Sequence, residues 1–285
     1  MTPSAKREVL GVLVHEHGLP VRRACRAVRL SRAAYYRPRP SPLRRDTEVV
    51  AALNDVVARH TRWGFWKCFT RLRRAGQRWN HKRVHRVYCA LRLNLPRRTK
   101  RRLPTRLRQP LVAPPRLNET WALDFMHDAL YDGRRFRTFN VIDEGNREAL
   151  AIEIGTSIPS ARVIRVLDEL IRLYGRPARV RLDNGPELTA EAFVEWCTAR
   201  RIGIGYIQPG KPDQNAFIER FNRSYRTEVL DAHLFDSLDQ VRELTETWLE
   251  IYNTERPHDS LGRVPPLTFL PRPDAPVEST FEVST

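Results

Sequence analysis

The chain has 285 residues, 41% hydrophobic and 29% charged, which excludes a disordered chain and allows about two domains of roughly 100–200 residues each. No uninterrupted apolar run approaches the ~18 residues of a membrane span, and the stretch Leu10 to Val14 is too short for a signal-peptide core. Cys25, Cys68, Cys89 and Cys197 form no CxxC pair, which excludes a disulfide framework or a cysteine zinc site, and the net charge of +17 predicts a soluble intracellular protein with a polyanionic partner.

The first 40 residues predict a small all-helical unit. Val9, Leu10, Leu13 and Val14 recur at helical spacing until Gly18-Leu19-Pro20 breaks the pattern. A second helix over Val21 to Val28 turns Ala24, Cys25 and Val28 inward. Ser31 is placed to cap a third, whose Arg32, Tyr35 and Tyr36 suit a major-groove reader of the helix-turn-helix type. Prolines at 38, 40 and 42 then make an extended linker, so residues 1–42 form one predicted unit with its tether.

Residues 43–95 predict a second helical DNA-binding unit. Val49, Val50, Leu53, Val56 and Val57 form one stripe, Trp63-Gly64-Phe65-Trp66 an aromatic corner, and Asn80 caps a helix carrying Val84, Val87, Tyr88 and Leu91. On that helix His81, His85 and Cys89 are four residues apart. They lack a fourth ligand at a plausible spacing, so a basic helix face explains them better than a metal. Residues 96–118 predict a basic linker suited to lie along phosphates, with Arg97, Arg98, Lys100, Arg101 and Arg102 among five prolines. Residues 1–110 carry 29 basic and 5 acidic side chains, and residues 111–285 carry 21 and 28. All the excess positive charge therefore lies in the first 40% of the chain, which points to nucleic acid rather than membrane as its partner.

After residue 118 the pattern alternates. Strands are predicted over Thr120 to Met126, Phe136 to Ile142 and Ala149 to Ile154, followed by a helix over Ser160 to Tyr174 and a short strand over Ala178 to Leu182. A helix over Leu188 to Arg200, a strand over Ile202 to Ile207, and helices over roughly 213–231 and 237–253 complete an α/β layered domain at 119–272. Residues 273–285 form a tail.

Asp124 places a charge in an otherwise apolar first strand and needs compensation, for example by a metal. Asp183 stands at the carboxyl tip of the fourth strand, where open α/β sheets place ligands, and Glu219 follows on a long helix. Competing acids have local explanations. Asp143 fits a strand-end carboxylate bonded to loop amides, and Glu187 fits the start of the next helix. On the Glu219 helix, Asn215, Asn222 and Arg226 share its face by helical periodicity, predicting a polar row toward DNA, with Lys211 in the loop before it as a further contact.

Four motifs carry a family resemblance: Trp121-x-x-Asp124-Phe125; Asp183-Asn184-Gly185-Pro186-Glu187; Gln208-Pro209-Gly210-Lys211-Pro212-x-x-Asn215-x-x-x-Glu219-x-Phe221-Asn222; and Tyr252-Asn253-x-x-Arg256-Pro257-His258. With a basic helical half in front, the chain resembles the bacterial insertion-sequence transposases of the IS-three group, OrfB type, with a retroviral-integrase-like catalytic core. The resemblance extends through Phe269. It implies an RNase H-like mixed-sheet domain preceded by helix-turn-helix-type DNA-binding units, in a cytoplasmic, nucleoid-associated bacterial protein.

By the same resemblance, Asp124, Asp183 and Glu219 form a catalytic and metal-binding acid triad for two Mg2+ or Mn2+ ions, with Asp124 bridging. The implied activity is cleavage of element 3′ ends and their joining to DNA by direct transesterification. The implied partners are element-end and target DNA, further copies of the chain on that DNA, and an upstream reading frame joined by a frameshift fusion. A basic residue seven positions after the glutamate, here Arg226, also fits the resemblance. Two other readings differ in class: a catalytically silent DNA-binding repressor derived from a transposase, and an RNase H-like structure-specific nuclease that cuts without joining.

Overall fold

In the computed structural model, the described residues are 3–37, 45–95, 116–207 and 215–272. The chain divides into two compact units, residues 1–50 and 51–285. In the first unit, helices α1 (Pro3–His15), α2 (Val21–Ala27) and α3 (Arg32–Tyr36) surround Leu10, Ala24 and Cys25, with Leu13, Val14, Val28 and Tyr35 packed on them. The cap signal at Ser31 is realised, since Ala34 N donates to Ser31 Oγ at 3.1 Å.

Helix α4 (Thr47–Arg59) crosses the division between the units and is followed by α5 (Phe65–Arg74) and α6 (His81–Ala90). Trp63, Cys68, Leu72, Val84, Val87 and Tyr88 are buried here, and Lys82 N donates to Asn80 Oδ1 at the start of α6. His85 stands edge-on to Phe65 at 4.7 Å, and among the described residues no His, Cys, Asp or Glu cluster is arranged to hold a metal. Residues 51–90 lie in the same compact unit as the sheet, tied to it by Arg71–Glu255 (3.1 Å) and by Arg74 donating to Thr268 (3.1 Å).

The sheet contains β1 (Thr120–Ala129), β2 (Arg135–Asp143), β3 (Ala149–Gly155), β4 (Arg179–Leu182) and β5 (Gly203–Tyr206), in the order β3-β2-β1-β4-β5. The first three strands form an antiparallel meander, and β4 and β5 join parallel to β1. This mixed sheet with helices on both faces is the α/β layered domain that the pattern predicted, and it has the RNase H-like arrangement that the resemblance implied. On one face Trp121, Leu123, Phe139 and Val141 pack on α7 (Ser160–Tyr174) and α9 (Glu191–Ala199). Opposite them, Ala122, Met126 and Ile142 pack on α10 (Ala216–Glu228) and α11 (Leu238–Thr254).

Two helix boundaries differ from the sequence expectation. The helix expected over Leu188 to Arg200 is two, α8 (Pro186–Thr189) and α9, separated by Ala190 in an extended conformation. Leu188 and Phe193 lie five residues apart, about 140° around one continuous helix, and the break resets the phase so that both are buried. The helix expected to reach residue 231 ends at Glu228, followed by a 3-10 turn at Leu230–Ala232. The last described elements are α12 (Pro266–Phe269) and a segment ending in Arg272. The Arg272 guanidinium donates to Asp143 (2.9 Å), Glu148 (2.6 Å) and Asn118 (3.1 Å), fastening the sheet's base.

Candidate active site

Asp124 is four residues from the end of β1 that pairs in parallel with β4, and Asp183 directly follows β4, so strand pairing alone brings them to adjacent strands. α10 packs across β1 and β2 and adds Glu219. Burial pushes the Asp124 carboxyl up to about 6, and the negative charges of Asp183 and Glu219 push in the same direction. Three carboxylates within electrostatic reach, none in an ion pair among the described residues, form an anionic centre of hard oxygen donors. The fit to a divalent cation rests on that charge and donor chemistry. Among the described residues the side chains are not drawn together into a closed ligand shell.

Asp124 and Asp183 are each held by their neighbours. Asp124 accepts Phe125 N at 2.9 Å and Asn222 Nδ2 at 2.6 Å, and Asn222 in turn accepts Asn140 Nδ2 at 2.7 Å. Asp183 accepts Gly185 N at 3.0 Å, and a Cβ at Gly185 would stand 3.0 Å from that same Oδ1, so the turn closes most easily with glycine. The loop after Asp183 is pinned by an Arg137–Glu187 ion pair and by Ser160 Oγ donating to Glu187 O at 2.5 Å. Glu219 is exposed, on the ridge of α10.

The other expected site residues distribute unevenly. Asn222 is only 9% exposed, and the expected polar row is corrected there: it faces Asp124 and positions the carboxylate, because α10 presents that flank to β1 and β2. Asn215 is also corrected from an open contact to a buried one at 3% exposure, with its Oδ1 unpaired among the described residues. Arg226 donates to Asp128 Oδ2 at 2.8 Å and to the His127 carbonyl at 2.6 Å, clamping α10 to the far end of β1. Arg32 and Tyr36 are exposed on α3, whereas Tyr35 turns toward the core of its unit. Lys211, Arg97, Arg98, Lys100, Arg101 and Arg102 lie outside the described residues.

The competing acids have structural partners. Asp143 takes Asn118 N, Gly145 N and Arg272, and Glu187 starts α8 and pairs with Arg137. His258 is buried against Tyr252, and burial beside Arg256 drives its pKa well below the ordinary value. Asn140 was not singled out by the sequence, yet its signal was the one that marked Asp124, a polar residue inside an apolar strand.

Replacing Asn222 by Ala removes a donor that favours ionised Asp124. The expected outcome is a fall in divalent-cation affinity on the order of 10–100-fold. The pH profile of that affinity should also move to higher pH, because the carboxyl then loses a bond to its charged form. An unchanged profile would remove Asn222 from any positioning role.

Two family profiles match this half of the chain, each described as an integrase core domain, over residues 114–212 and 200–266. The chain is 39% identical to an insertion element IS476 protein of Xanthomonas euvesicatoria, covering 94% of this chain and 78% of that one. It is 38% identical to an insertion element IS407 protein of Burkholderia multivorans, covering 87% and 89%. Among solved structures, the HTLV-2 integrase catalytic core aligns at 20% identity and TM-score 0.43, over 52% of this chain and 93% of that one.

Proposed function

We propose, from the premise that the chain belongs to the bacterial insertion-sequence transposases with an integrase-like core, that it cleaves the 3′ ends of its element and joins them to target DNA by direct transesterification at Asp124, Asp183 and Glu219. The observation that carries this reading is the pairing of β1 with β4, which sets Asp124 and Asp183 on adjacent strands, with Glu219 on the helix packed across β1 and β2. Divalent cations held there, Mg2+ or Mn2+, would lower the pKa of the attacking hydroxyl and stabilise the leaving 3′-oxygen.

The chain's own residues have distinct tasks. Asp124 would be one of the carboxylates that hold such ions, oriented by Asn222 and, through it, by Asn140. Asp183 is fixed by the turn that Gly185 closes, and Glu219 reaches the centre from the exposed ridge of α10. A side-chain nucleophile has no place in this scheme. The buried Cys197 thiol is pushed up to about 12 by its apolar surroundings, which keeps it protonated.

Arg32 and Tyr36 on the surface of α3, and the basic stretch containing Arg97, Arg98, Lys100, Arg101 and Arg102, are assigned to DNA, in keeping with the charge of the first 110 residues. Lys211 and Arg226 are assigned to the strand near the reacting phosphate. Synapsis of two element ends requires several copies of the chain on DNA, and an upstream fused segment is the natural source of further contacts between them. The test is a strand-transfer assay with element-end duplexes and Mg2+. Cleaved ends covalently joined to target DNA are the expected result. Nicking without joining would favour a structure-specific nuclease, and binding without cleavage a silent repressor.

A further inference from the structure

Beside Glu219, on the flank of α10 turned away from Asp124, lies a cleft of about 650 Å³. At about 100° per residue, Asn222 lies on the Asp124 side of Glu219, and Arg223, Arg220 and Ser224 lie progressively around the other side. The far walls come from α5, the β2–β3 turn and residues 256–260, so a helix from the basic half of the chain meets the acid centre's helix across this space.

The lining is strongly cationic. Lys67, Arg147, Arg220, Arg223 and Arg256 face Glu219 and Asp259. Part of that charge is already matched, because Arg256 binds Glu228, Lys67 is 3.8 Å from the same carboxylate, and Arg220 is 3.9 Å from Asp259. Arg147 is different. Its guanidinium carbon is 3.4 Å from the centre of the Phe217 ring, and its Nε and Nη1 are buried with no hydrogen-bond partner among the described residues. A planar cation stacked on a ring directs its N–H groups sideways, past the ring edge. Arg147 also makes no ion pair among the described residues, so its positive charge is left for an anionic oxygen in the cleft that it lines.

We infer that this cleft is a seat for the phosphodiester backbone of DNA leaving the acid centre over Glu219, with Arg147 as the anion anchor at its wall. The inference deepens the proposed function and rests on it for the identity of the DNA. The charge excess, the unmatched guanidinium and the shared edge at Glu219 all favour a phosphate strand. An acidic protein segment would match the charge without needing the cleft to open at Glu219.

The test is DNA binding by the full chain in EDTA, where no chemistry occurs, using a linear duplex across a salt series. Arg147→Gln and Arg220→Gln are each expected to reduce the slope of log K against log salt by about one. Arg134→Gln should leave it unchanged, since Arg134 is an exposed residue of the β1–β2 turn paired with Asp132. Arg220 is exposed and its replacement leaves the core intact, while thermal melting checks Arg147→Gln. Repeating the series with an element-end duplex and an unrelated one separates the sources. A loss confined to the first identifies the element strand, and an equal loss identifies DNA of any sequence. Slopes equal to wild type in both variants would overturn the inference and leave the cleft to an acidic protein. Failure to cleave DNA, in contrast, would count against the proposed reaction and leave this result standing.

Discussion

Replacing Asp124 by Asn is expected to abolish strand cleavage and joining while raising the melting temperature of the metal-free protein at pH 7. The loss of activity follows from the central position of Asp124, oriented by Asn222 and pressed by both other acids. On the proposed reaction, removing this carboxylate would cost several kcal/mol of charge stabilisation in the transition state, so a loss on the order of a thousandfold or more is expected. Asp183→Asn and Glu219→Gln should lose the same activity, and all three variants should still bind element-end DNA.

The gain in stability has a defined pH window. Burial holds the Asp124 carboxyl at about 6 in the fold, against an ordinary value of 3.8 in the unfolded chain, so the folded state holds the proton more tightly. Stability contributed by this group is therefore present at low pH and is lost as pH rises through about 6. A neutral Asn avoids that loss, so its advantage should appear above pH 6 and fade below about pH 4, as read by thermal melting in EDTA. A variant that melts below wild type at pH 7 would show that Asp124 is not the strained member of the site. The opposition of stability and activity at one residue is the ordinary signature of a functional charge held in an apolar strand.

Arg256→Ala is expected to destabilise the fold by about 3–5 kcal/mol, a large share of the ~5–15 kcal/mol that holds a typical domain together. Arg256 donates Nη2 to Glu228 at 2.7 Å and Nε to both carboxylate oxygens, and it also reaches Ser224 at 3.0 Å. Trp248 Nε1 donates to the same carboxylate at 3.1 Å. Burial opposes the charge on Glu228, yet the Arg256 guanidinium and Lys67 hold its carboxyl below the ordinary value.

Among the described residues, removing the arginine leaves a buried carboxylate with only Lys67 at 3.8 Å as a paired cation. Glu228 ends α10, Trp248 belongs to α11, and Lys67 belongs to α5, so this knot joins the catalytic helix to the basic helical region. Urea unfolding is the measurement, with the double variant Glu228→Gln, Arg256→Met expected to recover most of the loss. A single Arg256→Ala variant within about 1 kcal/mol of wild type would show that solvent already reaches the pair.

Much of the catalytic half was legible in the sequence because its signals are local. Short apolar runs marked β1 to β3, the side-chain caps at Ser31 and Asn80 marked helix starts, and Asp124 stood out as a charge where a strand should be apolar. The motif spacing added Asp183 and Glu219 and the family to which the chain belongs. Helix phase was less legible. Periodicity grouped Asn215, Asn222 and Arg226 with Glu219, but it could not say how far around α10 the packed face extends, and so it left Asn215 and Asn222 outside.

Only the tertiary structure decided which polar groups face one another. Asn222 meets Asp124 from 98 residues away, and Arg256 meets Glu228 across 28. The placement of α5 beside α10 makes Lys67 and Arg147 walls of one cleft, although the sequence separates them by a helix, a linker and two strands. Backbone periodicity is set by neighbours along the chain and is written there. The partner of a buried charge is set by which helix face lands on which strand, and that depends on the whole packed core.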